Sequence, residues 1–241
     1  RDPPPGATTA AELLHAQGWV RLERPPLAVD ASTLEAIRAA EYQPIFNGQP
    51  ADEAPLRHMG RSREWATAFE ATFTDALRDA GLLVCADGVR EKVVCDCYAL
   101  RSLGLGAAAH DPAKGDYEPA RVGRQPPHSD APEPPSADAP WPLPDADMPL
   151  SAMLGVMPGT GIWVFPTGCA EEACAIGDDC DAEDAFLLPI GVGEIVVWRG
   201  DLVHAGAGYA EPEHFRVHAY VDPPAEVYER PKGKTNRCPS V

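Results

Sequence analysis

Within Gln125-Pro126-Pro127-His128-Ser129-Asp130 the chain sets an imidazole and a carboxylate two residues apart. On extended backbone, residues i and i+2 project to the same side, so the two side chains can grip one ion. Taken alone the pair is a weak signal, because seven histidines in an aspartate-rich chain produce such a spacing by chance, and a solvated Pro-rich loop is the plain alternative. It gains weight from Asp201-Leu202-Val203-His204-Ala205-Gly206, where another histidine follows a tight turn 76 residues after His128. Two imidazoles and a carboxylate occupy one face of an octahedral ion and leave its other positions open. That arrangement suits non-haem Fe(II) that must bind both a co-substrate and O2. Asp201 is assigned to the turn rather than to a metal, since Gly-Asp is a turn pair.

Twelve residues beyond His204 comes Arg216, in the run His214-Phe215-Arg216-Val217-His218-Ala219-Tyr220-Val221. Alternation puts Phe215, Val217, Ala219 and Val221 on one face of a strand and His214, Arg216, His218 and Tyr220 on the other. A guanidinium fork inside a barrel mouth can bind a carboxylate through two parallel hydrogen bonds. It would then hold the far end of a dicarboxylate whose near end chelates the metal. His218 and Tyr220 read equally as pocket lining or as an exposed strand face. His15, His58 and His110 lie outside any ligand spacing and are assigned as surface or satisfied histidines.

These residues need strands to hold them, and the second half of the chain supplies them. Short apolar runs broken by turn residues predict strands near 92–101, 121–128, 149–157, 161–166, 185–190, 194–199, 201–206 and 214–221. Eight short strands suggest a jelly-roll or barrel. Upstream, Ala10–Gln17 reads as a short helix ending at Gly18, followed by the strand Trp19–Leu22. A second helix runs from a Ser32 cap, with Glu35 at the capping-box position, to about Ala40. A third runs from Trp65 to about Leu82, its apolar positions Trp65, Phe69, Phe73 and Leu77 stepping by four. The fold class is therefore mainly β with flanking N-terminal helices. Residues 1–9 form an arm, 10–222 one domain, and 223–241 a tail. Pro/Asp-rich residues 131–149 and the acidic, Cys-bearing insertion 167–184 are surface loops.

Composition narrows the function classes. The chain of 241 residues carries 20 basic and 37 acidic side chains, a net charge of −17, and such a field repels nucleic acid and anionic membranes. No apolar run approaches the eighteen residues of a membrane span, so a soluble protein is expected. Its 27 prolines, about twice the usual share, favour loops and extended segments over a helical bundle. The sequence begins Arg1-Asp2-Pro3 rather than with methionine, which reads as a trimmed N-terminus, and the compartment and oligomeric state stay open.

His128, Asp130, His204 and Arg216 together resemble the signature of the Fe(II)/2-oxoglutarate-dependent dioxygenase superfamily. There a double-stranded β-helix carries His-x-Asp, a distant His, and a basic residue some ten to twelve positions later. The segments Leu13-Leu14-His15-Ala16-Gln17-Gly18-Trp19-Val20, Gly161-Ile162-Trp163-Val164-Phe165-Pro166 and Gly200-Asp201-Leu202-Val203-His204-Ala205-Gly206 look most like its phytanoyl-CoA dioxygenase-like branch, over about residues 11–222. The resemblance implies that His128, Asp130 and His204 bind Fe(II) and that Arg216 anchors the distal carboxylate of 2-oxoglutarate. It further implies hydroxylation of a small molecule or a peptide side chain, with release of succinate and CO2. Because Asp130 supplies a carboxylate, no vacancy is left for the chloride of halogenating relatives. Two positions depart from the pattern. His218 stands where a small hydroxyl residue is common, Tyr98 being a substitute donor, and Pro166-Thr167-Gly168-Cys169 replaces the usual loop after the strand.

The remaining features carry less. Cys169, Cys174 and Cys180, among seven acidic residues, read first as a local disulfide, then as free thiols, and last as a zinc or calcium site. Cys95 and Cys97 should both face the core from one side of their strand. Arg57, Arg61 and Arg63 form a basic stretch that either approaches a helix in solvent or attracts an anionic substrate. Two other readings remain for the whole chain: a catalytically silent jelly-roll serving as a binding or assembly subunit, and a cupin-type metalloenzyme that does not use 2-oxoglutarate.

Overall fold

The computed structural model describes residues 7–24, 26–44, 57–60, 62–103, 128–131, 143–165, 185–209, 211–230 and 236–237. Its strands are β1 Trp19–Arg21, β2 Tyr42–Pro44, β3 Arg57–Gly60, β4 Val93–Leu103, β5 His128–Ser129, β6 Leu150–Gly155, β7 Thr160–Val164, β8 Phe186–Ile190, β9 Ile195–Arg199, β10 His204–Gly206, β11 Glu213–Asp222 and β12 Asn236–Arg237. They form a seven-stranded sheet in the order β1-β9-β6-β11-β4-β3-β2 and a five-stranded sheet in the order β12-β5-β10-β7-β8. All strand pairings within the two sheets are antiparallel. The result is a jelly-roll of two facing sheets, with three helices, α1 Ala10–Gln17, α2 Ala31–Arg38 and α3 Arg63–Asp79, on the outside of the larger one.

Period-two alternation sorts the larger sheet into two buried faces. Leu150, Ala152 and Leu154 of β6, Val197 of β9 and Phe215, Val217, Ala219 and Val221 of β11 share one core with Trp65, Phe69, Phe73 and Leu77 of α3. The intervening Met153, Val196, Trp198, Tyr98 and Leu100 join Ile162, Val164 and Leu188 of the smaller sheet in a second core between the sheets. The polar face expected on β11 therefore points inward, and His214, Arg216 and His218 are all buried.

Helix ends follow local chemistry. Thr9 and Glu12 form a reciprocal capping box at the start of α1, and Gly18 ends it at φ +82°, where a Cβ would meet Leu202 at 2.8 Å. The cap of α2 is Asp30 rather than Ser32: its Oδ1 accepts from the Thr33 amide at 2.7 Å and from the Ser32 hydroxyl at 2.9 Å. A carboxylate at the helix N-terminus satisfies an orphan amide and the macrodipole together, which a hydroxyl does less well.

Several local expectations change. Arg57–Gly60 is an edge-side strand pairing with β2 and β4, not a solvated approach to a helix, and α3 begins only at Arg63. The 201–206 strand shortens to His204–Gly206, since residues 201–203 form the turn in which the Asp201 carboxylate holds Arg199 at 2.7 and 2.9 Å. A bulge in β4, where Asp96 has φ +48°, breaks its register with β11 between His218 and Tyr220. Cys95 thus lies opposite Tyr220 and bonds the Asp222 carboxylate at 3.3 Å, whereas Cys97 sits in the core beneath α3. The two cysteines do not share a face. Residues 223–230 fold back on the domain, burying Tyr228 against Ala131, Leu143 and Met148. The strand expected at 121–128 is described only at His128. The arm at 1–6, His110, Arg61, most of the 131–149 loop and the 167–184 insertion with its three cysteines lie outside the described residues.

Phe73 is fully buried at the centre of the helix-facing core. Phe73→Ala is expected to cost about 3–5 kcal/mol of stability, read as a lower urea midpoint with an unchanged denaturant slope.

Candidate metal centre

Backbone pairing brings the two distant histidines side by side. His204 of β10 is the direct register partner of His128 of β5, and their ring centroids are 4.5 Å apart. Asp130 follows two residues after His128, its carboxylate 3.9 Å from His128 Nε2 and 3.4 Å from His204 Nε2. One donor atom from each of the three falls within 4.8 Å of the others, and all three residues are buried. This is a set of two imidazoles and a carboxylate that could hold a divalent metal.

The donors are oriented for that task. His204 Nδ1 lies 3.0 Å from the Leu202 carbonyl, which can only accept, so Nδ1 carries the proton and Nε2 presents its lone pair inward. Asp130 Oδ2 accepts from the Ser151 hydroxyl at 2.6 Å and from Trp198 Nε1 at 3.2 Å, while Oδ1 is the oxygen turned toward His128 Nε2, at 3.9 Å. Burial alone would raise the Asp130 carboxyl. The imidazoles of His204, His218 and His128 outweigh it and hold the group well below the carboxylate range.

His218 resolves as pocket lining. Its Nε2 is 3.8 Å from Asp130 Oδ2, and its ring lies against Tyr98, Trp198 and Tyr220. Burial pushes this imidazole below its ordinary value against the pull of Asp130. Tyr98 is buried beside it, with its phenol raised well above the ordinary range by burial.

Arg216 stands two residues before His218 on the same face of β11, about 7 Å farther along the strand. It is fully buried, donates from Nη1 to the Ser102 hydroxyl at 2.8 Å, and lies 5.6 Å from the centre of the Tyr209 ring. Its Nε has no partner among the described residues. A buried guanidinium whose Nε has no partner among the described residues is costly unless an anion completes it, so this position fits a carboxylate ligand. Tyr209 in turn stacks on His214 at 3.8 Å, and His214 Nε2 lies 2.9 Å from the Thr160 hydroxyl.

Ser151, Trp198 and Arg230 belong to the site without having been read as such. Ser151 interrupts an otherwise apolar run and Trp198 takes the inward position of β9, signals present in the sequence. Arg230 had none. Its guanidinium makes two bonds to Asp222, at 3.0 Å and 2.5 Å, donates to the Asp130 carbonyl and covers the Tyr220 ring at 3.9 Å. Among the other histidines, exposed His15 pairs with Asp145 and takes no part in the centre.

No protein-family model matches the chain, and no curated protein matches it in sequence. Solved structures match it in shape. They share its jelly-roll fold, and 2-oxoglutarate-dependent oxygenases are among them. HygX from Streptomyces hygroscopicus, solved with nickel and 2-oxoglutarate bound, superposes with a TM-score of 0.56 at 11% identity, over 90% of this chain and 88% of that one. SnoK, a non-haem α-ketoglutarate-dependent carbocyclase from nogalamycin biosynthesis, gives 0.55 at 12% identity, over 88% and 83%. A prolyl hydroxylase from Trichoplax adhaerens, in complex with a peptide fragment of hypoxia inducible factor, gives 0.52 at 12% identity, over 91% and 90%. At these identities what is shared is the fold.

Removing the Arg230 guanidinium strips Asp222 of its ion pair and the Asp130 carbonyl of a donor. Arg230→Ala is expected to cost about 3 kcal/mol in urea unfolding, and Arg230→Lys to recover only part of it, because an ammonium cannot make the forked contact.

Proposed function

We propose that the chain is an Fe(II)- and 2-oxoglutarate-dependent oxygenase that hydroxylates a small molecule or a peptide side chain. The observation that carries this reading is the convergence of His128, Asp130 and His204 at one buried point, with the incompletely satisfied guanidinium of Arg216 on the adjoining strand face. In the proposed roles His128 and His204 ligate through Nε2 and Asp130 through Oδ1, and Arg216 pairs with the distal carboxylate of 2-oxoglutarate. The spacing of about 7 Å between the His218 and Arg216 rows suits a five-carbon dicarboxylate lying along β11. Support also comes from the fold's solved relatives, one of which holds nickel and 2-oxoglutarate.

Bound in this site, Fe(II) supplies the oxygen chemistry: one O2 is consumed, 2-oxoglutarate yields succinate and CO2, and one oxygen atom enters a C–H bond of the substrate. The protein's own part is orientation and shielding. Ser151 and Trp198 engage Oδ2, so that Asp130 offers one oxygen to the ion. The inter-sheet core around Trp198, Ile162 and Leu202 keeps bulk water from its inner side. Asp130, as a carboxylate ligand, favours hydroxylation over halogenation. The proposal extends to the phytanoyl-CoA dioxygenase-like branch, which the Leu13–Val20, Gly161–Pro166 and Gly200–Gly206 segments resemble. Relatives of the fold include a carbocyclase and an enzyme held with a peptide, so both substrate classes remain in the proposal.

Anaerobic titration with Fe(II) and 2-oxoglutarate tests the assignment. The wild-type chain should develop a weak visible charge-transfer band and, in air, form succinate. His128→Ala should lose the band altogether. Arg216→Met should keep metal binding while weakening 2-oxoglutarate about 100-fold. An unchanged co-substrate affinity in Arg216→Met would instead favour a metalloenzyme that does not use 2-oxoglutarate, and absence of both band and succinate in the wild type would defeat the oxygenase reading.

A further inference from the structure

Away from the metal centre, a pocket of about 180 Å³ opens between α1, the turn after α3 and the 3-10 turn Asp145–Asp147 that precedes β6. Lys92, only 4% exposed, lines it. Among the described residues no carboxylate lies within ion-pair distance of the Lys92 ammonium. Asp147 acts on it from farther off, and Asp147 Oδ1 already accepts from the Ala86 amide at 2.9 Å. Burial accordingly holds the ammonium down to about 8.

The other charged groups of the wall are paired. Arg199 grips both oxygens of Asp201, and Asp145 is shared between Arg199 and His15. What remains among the described residues is the Lys92 ammonium, with the Cys85 thiol and Asp147 acting on it but no carboxylate in ion-pair contact, beside apolar surface supplied by Leu14, Leu82 and Val84. A buried ammonium without a counter-ion is costly, and an incoming anion would relieve it. The rest of the lining recovers free energy only from hydrocarbon. An apolar cavity of about 150 Å³ accommodates benzene, so this one has room for about six or seven heavy atoms.

We propose that this pocket binds a short-chain aliphatic monocarboxylate of four or five carbons, its carboxylate on the Lys92 amine and its tail against Leu14 and Leu82. The site is separate from the metal centre and does not require it. Arg199, on its wall, is the residue next to Trp198, whose indole bonds Asp130.

Calorimetric titration of the metal-free 241-residue chain with sodium valerate tests the proposal without any turnover. Saturable binding at one site is expected, about tenfold or more weaker for the uncharged isostere valeramide and for Lys92→Met. Octanoate should be excluded by size. Lys92→Met removes a buried charge and should fold, but Ala11→Trp, an exposed α1 position on the pocket wall, provides a second variant and should weaken valerate by occupying its space. No saturation by valerate up to about 50 mM, or equal affinity for valerate and valeramide, or valerate affinity unchanged in both variants, would overturn it. None of these outcomes bears on iron or 2-oxoglutarate, so the oxygenase reading stands or falls separately.

Discussion

A carboxylate taken out of water must be given donors, and the way Asp130 obtains them ties the two sheets together. Asp130 follows directly on β5, at the margin of the smaller sheet, while Ser151 and Trp198, which bond its Oδ2, are inward residues of β6 and β9 in the larger one. Breaking either contact would leave a buried charge short of a partner, a far larger loss than forfeiting a surface hydrogen bond. The imidazoles of His128, His204 and His218 all lie within 4 Å of this carboxylate. Geometry at this point therefore depends on both sheets being in register at once, which is why the apolar packing between them bears on the site and not only on stability.

The smaller sheet contributes surprisingly little backbone to hold its histidine. β5 is two residues long and is fixed by β10 on one side and β12 on the other, with Ala131 bonded through its amide to the Gly200 carbonyl. Short strands of this kind have little intrinsic preference to form, so their position is inherited from neighbours. Arg230 adds a fastening from outside the sheet, joining the end of β11 to the backbone of Asp130.

Much of this was legible in the residues. The step of four in α3 and the alternation of β11 are strong periodic signals, and both appear where the pattern put them. His-x-Asp, the remote His204 and Arg216 could be singled out because their types are chemically unusual at those spacings. Pairing was not legible: nothing local in Arg57-His58-Met59-Gly60 says strand, because its order comes from lying against β4. The bulge at Asp96 was equally hidden, and it overturned the simple expectation that Cys95 and Cys97 share a face. Ser151 and Trp198 had visible signals that only the fold could convert into a role. The Asp30 cap shows a smaller lesson, that a carboxylate two residues upstream outcompetes a serine for the first free amides.

The outer neighbour of β5 has a consequence for how the molecule is made. His128 acquires its backbone partner on that side from Arg237, and Asp130 its arginine from 100 residues further along the sequence. During synthesis on the ribosome the helices and the first strands emerge long before either contact exists. The histidine-bearing margin of the barrel is consequently among the last regions to reach its final order, and a nascent chain halted before those residues would carry His128, Asp130 and His204 without the frame that aims them.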